Sequence, residues 1–166
     1  NILYQKYGNK YKIIPSEKNL GFAGGYNLGI KKALKDNADF IVLLNNDTVV
    51  DQNYITGLLK PFSDKKTGIT TSKIYYYNEK NKIWYAGAKF NKFNGESHHI
   101  GLNKKDTQKY KKIYKVDRAS GCSMMIKKEV FSEVGFLDEN YFLTFEESDF
   151  CLRAIKKGFK IYFSPE

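Results

Sequence analysis

The pattern of apolar and polar positions in the first third of the chain predicts one β-turn-α-β unit. A short strand is expected at 11–14, a Gly-rich turn at 19–25 and an amphipathic helix at 26–35. The continuous apolar run at 40–44 is typical of a strand that is covered on both faces, as in parallel sheets. Residues 11–44 are therefore expected to belong to a parallel sheet.

The rest of the chain continues the α/β pattern. Further elements are expected as helices at 53–62, 127–134 and 146–157, and as strands at 69–77, 83–90, 113–117, 122–126 and 159–163. The strands on either side of residues 78–82 indicate a hairpin or an excursion from the main sheet. Residues 91–112 are polar and rich in Lys, which predicts a long mobile loop. No repeat divides the chain, so residues 1–166 are interpreted as a single domain.

The composition is that of a globular domain with a sizeable core. The chain has 166 residues, of which 42% are hydrophobic, and this excludes intrinsic disorder. No apolar run reaches the ~18–20 residues of a membrane-spanning helix, and the first residues lack the apolar centre of a signal peptide. Cys122 and Cys151 have no zinc-type spacing. A soluble chain in the reducing cytoplasm is the expectation.

The net charge of +10 suggests an anionic partner, but the residue types disfavour nucleic acid. Arg118 and Arg153 are the two Arg residues, and the other 26 basic residues are Lys. Recognition of bases and phosphates relies on the Arg guanidinium, so no specific nucleic-acid partner is predicted. The Lys cluster within 104–112 and the doublet His98-His99 are both interpreted as solvated groups.

The Gly-rich turn at 19–25 is a candidate nucleotide contact. A glycine turn that leads into a helix lets backbone N–H groups approach phosphates. Its spacing matches neither the dinucleotide-binding nor the P-loop pattern, and many such turns are only tight turns. Both interpretations stay open.

Asp47 is a candidate metal ligand. It follows the strand at 40–44, at the sheet edge where α/β proteins bind ligands. Together with the amide oxygens of Asn45 and Asn46, it offers the hard oxygen atoms that divalent cations prefer. The same residues also make good turn chemistry, and the residues alone favour the turn.

An acidic cluster begins the last predicted helix. Thr144 and Glu147 fit a capping box, in which the Thr caps the helix and the Glu reaches back. Asp149 and Arg153 are four residues apart and fit an ion pair on the helix surface. The alternative is that Glu146, Glu147 and Asp149 concentrate carboxylates where one of them accepts a proton. The residues alone favour the structural interpretation.

Four segments taken together resemble the family 2 glycosyltransferases, in particular their rhamnosyltransferase-like branch. In chain order they are NLGFAGGYNLG at 19–29, LLNND at 43–47, SGC at 120–122 and FEESDFCLR at 145–153. The resemblance implies an α/β fold of the GT-A type, with a Rossmann-like, mixed but mostly parallel sheet flanked by helices. The family's opening strands and its segment after the last strand have no counterpart here, so an incomplete catalytic domain is expected.

The resemblance also implies roles for individual residues. Donor-binding residues are expected at Asn19, Gly21, Phe22, Gly24, Asn27 and Asn45. Asp47 matches the place of the family's metal motif, so it is expected to hold Mg²⁺ or Mn²⁺. Gly121 and Arg153 are expected on the acceptor side. Glu147 and Asp149 are expected as the catalytic pair, with Glu147 as the general base and Asp149 orienting Arg153 or the helix start.

The reaction implied by the resemblance is one displacement with inversion. A sugar passes from a nucleotide-diphospho-sugar to a saccharide or lipid-linked acceptor, in the synthesis of cell-surface polysaccharide or glycolipid. The implied location is the cytoplasm, where peripheral contact with the inner face of the membrane fits such acceptors. The alternative is a non-catalytic binding module, either an inert remnant of the fold or a Lys-rich surface that meets an anionic polymer or membrane.

Overall fold

The structure is a computed structural model that describes residues 2–7, 10–91, 93 and 95–165. Its elements in chain order are α1 (Ile2–Tyr7), α2 (Gly21–Lys35), β1 (Phe40–Leu44), α3 (Tyr54–Leu59), β2 (Thr67–Ser72), β3 (Ile74–Tyr76), β4 (Glu79–Tyr85), β5 (Ala88–Phe90), β6 (Ser97–His99), β7 (Tyr114–Val116), β8 (Ser123–Lys127), α4 (Lys128–Val134), α5 (Glu146–Lys156) and β9 (Lys160–Ser164). Short 3-10 turns occupy Lys60–Ser63 and Gln108–Tyr110. The α/β class is confirmed.

The central sheet of the described chain has five strands in the order β1-β8-β2-β9-β7. Strands β2 and β9 run parallel, whereas the pairs β1–β8, β8–β2 and β9–β7 are antiparallel. The expectation of a mostly parallel sheet is therefore wrong. Residues 11–14, the expected first strand, have an irregular backbone, so the predicted parallel unit does not form. An apolar run indicates cover on both faces, and a mixed sheet provides that cover whatever the strand directions are.

The two faces of β1 explain its uninterrupted apolar sequence. Ile41 and Leu43 belong to the main core, to which α2, α4 and α5 contribute. Phe40 and Val42 pack on the other side against a smaller cluster that contains residues of α3. Because successive side chains of a strand point to opposite faces, both sets must be apolar. This packing fixes the end of β1, from which the chain enters residues 45–47.

Two small hairpins accompany the sheet. The hairpin expected around 78–82 is confirmed, because β3 pairs antiparallel with β4. A second hairpin pairs β5, which lies in the strand expected at 83–90, with β6, which lies in the predicted loop 91–112. Positions 92 and 94 of that loop lie outside the described residues. The second hairpin brings His99 next to Ala88, which places this His in a defined environment.

The described residues 100–112 also make specific contacts, so the expectation of a long mobile loop is wrong for them. The Ile83 N–H donates a hydrogen bond of 2.8 Å to the Lys104 carbonyl. Lys73 and Asp106 form an ion pair of 2.8 Å, with only 6% and 12% of their side chains exposed. Most of its described residues, among them the Lys residues within 104–112, are exposed, while Asp106 satisfies its charge against Lys73 beside the β3–β4 hairpin.

The start of α5 differs from the predicted capping box. The helix begins at Glu146, and Phe145 rather than Thr144 takes the N-cap position, with no side-chain cap. Thr144 and Phe145 both have a left-handed backbone, with φ of 73° and 71°. A β-branched residue in this region is strained and persists only where its surroundings enforce it. The neighbouring Glu147 is free of the capping role and contacts Arg118 instead.

Candidate active site

The Gly-rich segment is mostly helix rather than an open loop. Helix α2 begins at Gly21, so Gly24 and Gly25 lie inside its first turns. Asn19 Oδ1 accepts a hydrogen bond of 2.9 Å from the Gly21 N–H, and Gly21 has a left-handed φ of 68°. The predicted nucleotide turn is thereby reduced to residues 19–21 and the helix start that follows.

Phe22 joins the first and third family segments and also contacts Phe142, which precedes the fourth. Its N–H donates a hydrogen bond of 3.0 Å to the carbonyl of Phe142, shortly before α5. Its ring packs on Gly121, where an added Cβ would lie 2.6 Å from the Phe22 Cζ atom. Gly121 is thus needed for close packing at this junction, which is formed by Gly21, Phe22, Gly121 and Phe142. The expected acceptor-side role of Gly121 stays a prediction.

The family segment at the end of β1, residues 43–47, contacts the segment 120–122 and helix α2. The Asn45 N–H donates to the Cys122 carbonyl at 3.2 Å, and the Tyr26 hydroxyl donates to Asn45 Oδ1 at 3.4 Å. Asp47 is exposed, and its charge acts on Tyr26 and Cys122. Burial raises the pKa of Tyr26 to about 12 and also raises that of the Cys122 thiol, and the Asp47 charge adds to both shifts. Asp47 therefore lies within electrostatic reach of Tyr26 in α2, and its expected metal-binding role stays a prediction.

The residues around Asp47 fit a divalent cation that takes most of its ligands from a bound diphosphate. Asp47 supplies a carboxylate and Asn45 an amide oxygen, both hard oxygen donors suited to Mg²⁺ or Mn²⁺. Across residues 2–7, 10–91, 93 and 95–165, no group of three or more His, Cys, Asp or Glu side chains is arranged to hold a metal ion. An ion at Asp47 would therefore complete its coordination with water and donor oxygens.

Asn27 is buried within the fold and holds a neighbouring segment. Its Nδ2 donates hydrogen bonds of 2.9 Å to the Leu137 carbonyl and to Glu139 Oε1. Its Oδ1 accepts from the Leu137 N–H at 3.2 Å. Gly24 lies beside this contact, since an added Cβ would be 2.8 Å from Leu20 and 3.9 Å from Glu139. These contacts give Asn27 and Gly24 a structural role, and their expected donor-binding roles stay predictions.

Glu147 forms an ion pair that sequence reasoning missed. Arg118 Nη1 lies 3.1 Å from Glu147 Oε1, and the two side chains are 13% and 16% exposed. Arg118 Nη1 also reaches the Ser148 hydroxyl at 3.5 Å. One sequence signal could have indicated this ion pair: Arg118 is one of two Arg residues among 28 basic residues. Arg is preferred over Lys for partly buried contacts with carboxylates.

His99 contacts the other side of the same guanidinium, so the prediction of a solvated doublet is wrong for this residue. Its Nε2 contacts Arg118 Nη2, and its ring packs edge-on against Trp84 and Tyr85. Burial and the Arg118 charge lower the pKa of His99 below its ordinary value. His98 is exposed and points to Glu96 at 3.6 Å, as a solvated group would.

Asp149 and Arg153 form the predicted ion pair, at 2.7 Å. The Arg153 guanidinium also donates hydrogen bonds of 2.8 Å to the carbonyls of Val134 and Phe136, near the end of α4. Arg153 thus ties α5 to the end of α4. Its expected acceptor-side role and the expected catalytic role of Asp149 stay predictions.

Glu146 is the buried acid of the cluster. The residue is 3% exposed, and its Oε2 atom has no hydrogen-bond partner among the described residues. Burial raises the pKa of Glu146, and the nearby Glu147 charge adds to the shift. A raised pKa favours a neutral carboxyl, which lowers the cost of leaving an oxygen unpaired.

A cavity of about 690 Å³ lies between the β5–β6 hairpin and the start of α5. Its walls combine aromatic, apolar and charged side chains, among them Phe90, Arg118, Tyr141, Phe145, Asp149 and Leu152. Its size and mixed lining are those of small-molecule sites. A smaller cavity of about 400 Å³, lined in part by Leu34, Phe131 and Phe136, is formed without any predicted site residue.

The junction at Gly21 makes a testable prediction. Gly21→Ala should destabilise the fold by about 1–3 kcal/mol, because an Ala must adopt a left-handed backbone and its Cβ would clash with the Phe142 carbonyl. Gly25→Ala is the matched control, since Gly25 is helical and has open space around it, and Ala there should stabilise by about 0.5–1 kcal/mol. Urea unfolding measures both variants. Equal effects of the two substitutions would contradict the assigned junction.

Comparison with solved structures confirms the GT-A fold. The chain superposes on the crystal structure of GalNAc-T7 with UDP, GalNAc and Mn²⁺ with a TM-score of 0.70. The two are 18% identical, and the match covers 98% of this chain and 32% of that chain. A second match, to A197 from STIV, has a TM-score of 0.57 at 13% identity and covers 99% of this chain and 73% of that chain.

The fold and the four converging segments define a glycosyltransferase domain. The chain belongs to glycosyl transferase family 2, whose family model matches residues 3–135. The matched range includes the segments 19–29, 43–47 and 120–122. The acidic cluster of α5 follows the matched range.

Curated relatives are sugar transferases by name. The low-salt glycan biosynthesis hexosyltransferase Agl10 of Haloferax volcanii is 30% identical over 154 residues, which cover 89% of this chain and 47% of that protein. The dTDP-rhamnosyl transferase RfbF of Shigella flexneri is 24% identical and covers 95% of this chain and 50% of its own length. The rhamnosyltransferase WbbL of Escherichia coli is 26% identical over 76% of this chain and 50% of its own length. The chain thus spans about half the length of these relatives.

Among the described residues, none of the helices is both long enough and apolar enough to cross a bilayer.

Proposed function

We propose that the protein transfers a sugar from a nucleotide-diphospho-sugar to an acceptor hydroxyl, with inversion at the anomeric carbon, in the synthesis of a cell-surface polysaccharide or glycolipid. The observation that carries the proposal is the set of contacts that bring the family segments 19–29, 43–47 and 120–122 together, with Glu147 of the segment 145–153 held by Arg118 beside a cavity. The names of the relatives, a glycan-biosynthesis hexosyltransferase and rhamnosyltransferases, support sugar transfer.

Glu147 is the general base of the proposed reaction. Its carboxylate takes the proton of the acceptor hydroxyl while that oxygen attacks the anomeric carbon and the bond to the diphosphate breaks. Arg118 engages Oε1 and so leaves Oε2 for the acceptor. Asp149 is held by Arg153 and orients the helix start without taking the proton.

The donor diphosphate is proposed to bind between the start of α2 and residues 45–47. The N–H groups of Gly21 and Phe22 are already bonded within the protein, so Asp47 becomes the principal anchor on this side. A Mg²⁺ or Mn²⁺ ion held by Asp47 would neutralise the charge of the leaving diphosphate.

Asp47→Asn is expected to abolish the metal-dependent part of nucleotide binding. Titration of UDP and dTDP with Mn²⁺ by calorimetry should give affinities more than about tenfold weaker, a loss of more than about 1.4 kcal/mol. Asp51→Asn is the charge-matched control, because Asp51 is exposed in the same loop and accepts from the Asn53 N–H through an oxygen that Asn retains. If the two variants bind nucleotide alike, Asp47 is not the metal ligand.

The acceptor is proposed to enter the cavity beside α5. Tyr141 and Phe145 offer aromatic faces on which a sugar ring can stack, as expected for a saccharide or lipid-linked acceptor. Phe142 and Leu143 are exposed next to them, at 60% and 67%, and form an apolar ridge suited to a lipid chain or to peripheral contact with the membrane. The proposed location is the cytoplasm at the inner face of the membrane, with no specific nucleic-acid partner.

Donor turnover by the full-length protein tests the proposed function. Release of nucleoside diphosphate from dTDP-rhamnose and UDP-hexoses is measured with Mn²⁺ and saccharide acceptors, and the anomeric configuration of the product is read by NMR. Inverted product supports the proposal, and retained configuration rejects single displacement. Tight nucleotide-sugar binding without turnover of any donor would instead favour the alternative, a non-catalytic binding module.

A further inference from the structure

Arg118 lies between two titratable side chains and contacts each with a different nitrogen. Nη1 donates to Glu147 Oε1 at 3.1 Å, and Nη2 contacts His99 Nε2. The backbone of Arg118 is fixed as well, since its carbonyl accepts a hydrogen bond of 2.5 Å from the Tyr85 hydroxyl. The guanidinium is therefore held in one orientation, in which Nη1 faces helix α5 and Nη2 faces strand β6.

The contact with Arg118 determines the protonation state of His99. An Arg N–H can only donate, so His99 Nε2 must carry its lone pair and accept. The ring also has a hydrogen bond with the Trp84 backbone, which suits a proton on Nδ1. His99 must therefore be the neutral Nδ1–H tautomer when Arg118 occupies this position, and a second proton on the ring would set two cations against each other.

We propose that Arg118 and His99 are positioning residues for Glu147, and that the arrangement holds only while His99 is neutral. The inference rests on the proposed function of Glu147 as general base. Arg118 orients the carboxylate, and His99 supplies the acceptor that stops the guanidinium from rotating away. Protonation of His99 releases Arg118, so the base loses its orientation.

Among the described residues, the charged group in direct contact with the His99 ring is the Arg118 guanidinium, which an added proton would repel. Its titratable and charged neighbours are Arg118 in contact, Tyr85 against the ring, Glu147 and Cys151 next to Arg118, and Glu96 and His98 on its own hairpin. Burial raises the pKa of Tyr85, and it raises that of Cys151 to about 12, so both are neutral. The Glu147 carboxylate is already engaged by Arg118.

The pH dependence of turnover in the full-length protein tests this proposal. The wild-type protein should lose turnover as His99 gains a proton, at a pH below the ordinary His value of about 6.5. His99→Gln keeps an oxygen that accepts from Arg118 but does not titrate, so its turnover should persist to lower pH. His98→Gln, on the exposed neighbour, should keep the wild-type acid limb. An identical acid limb for wild type and His99→Gln would overturn the proposal.

Arg118→Lys provides a second measurement. A Lys keeps the charge but cannot contact Glu147 and His99 with two fixed nitrogens, so kcat should fall by about 10²-fold, the effect of a misplaced reacting group, while nucleotide affinity is unchanged. Wild-type kcat in Arg118→Lys would overturn the proposal. Should Arg118→Lys not fold, His99→Gln still decides. Glu147→Gln is measured in parallel. If Glu147→Gln retains turnover, the proposed function fails. If Glu147→Gln is inactive while His99→Gln and Arg118→Lys keep the wild-type turnover and acid limb, only the positioning role is rejected.

Discussion

Glu147→Gln is expected to lower donor turnover by about 10²–10⁴-fold, because the amide cannot accept the proton of the acceptor hydroxyl. The fold should survive the change. Glu147 does not cap α5, and a Gln at this position still offers an oxygen to Arg118 Nη1. Nucleoside diphosphate release, nucleotide affinity and melting temperature together separate a lost base from a lost fold.

Asp149→Asn separates the two acids of the expected catalytic pair. Its Oδ2 is bonded to Arg153 Nε at 2.7 Å, so removing its charge weakens a contact between helix side chains that are 26% and 30% exposed. A small change in melting temperature and a much smaller loss of turnover than in Glu147→Gln are expected. The reverse order would make Asp149 the base. Full turnover in both variants would mean that the acidic cluster is structural.

The sequence predicted the elements of the fold better than their pairing. The run at 40–44 correctly indicated a buried strand, because Ile41 and Val42 face different clusters and each face must be apolar. The run carries no information on direction, however. Strand β1 is antiparallel to β8, which lies about 80 residues further along the chain, and that pairing depends on long-range packing.

The candidate site residues were predicted from patterns within short segments of the chain, and their roles stay predictions. Asp47 lies within electrostatic reach of Tyr26 because β1 and α2 are neighbours in both sequence and space. The contacts of Arg118 and His99 were not predicted, because each of these residues meets a partner in another element. Arg118 meets Glu147 across 29 positions, and His99 meets Arg118 across 19. Single-residue patterns do not record such contacts.

The same limitation explains why the contacts of the segment 91–112 were not predicted. Its Lys-rich composition indicated a solvated loop and gave no sign of the partners of Asp106. Asp106 accepts hydrogen bonds from Lys73 Nζ at 2.8 Å and from the Tyr75 hydroxyl at 2.5 Å, beneath the β3–β4 hairpin. Burial alone would raise the Asp106 pKa, yet the hydrogen bonds from Lys73 and Tyr75 leave it below its ordinary value. An acid whose pKa is lowered by folding stabilises the fold above its unfolded value, and that stabilisation is lost as the pH falls through the folded value.

Lys73→Met is therefore expected to destabilise the protein by about 3–5 kcal/mol, since it leaves the Asp106 carboxylate buried without its counter-ion. Lys82→Met is the matched control, because the Lys82–Glu79 pair is 36% and 57% exposed and should contribute only about 0–1 kcal/mol. The double variant Lys73→Met with Asp106→Leu should recover most of the loss, because both charges leave together. Urea unfolding at neutral pH measures all three. If Lys73→Met costs no more than Lys82→Met, the ion pair does not hold the 91–112 segment on the β3–β4 hairpin, and the order of that segment must come from its backbone hydrogen bonds alone.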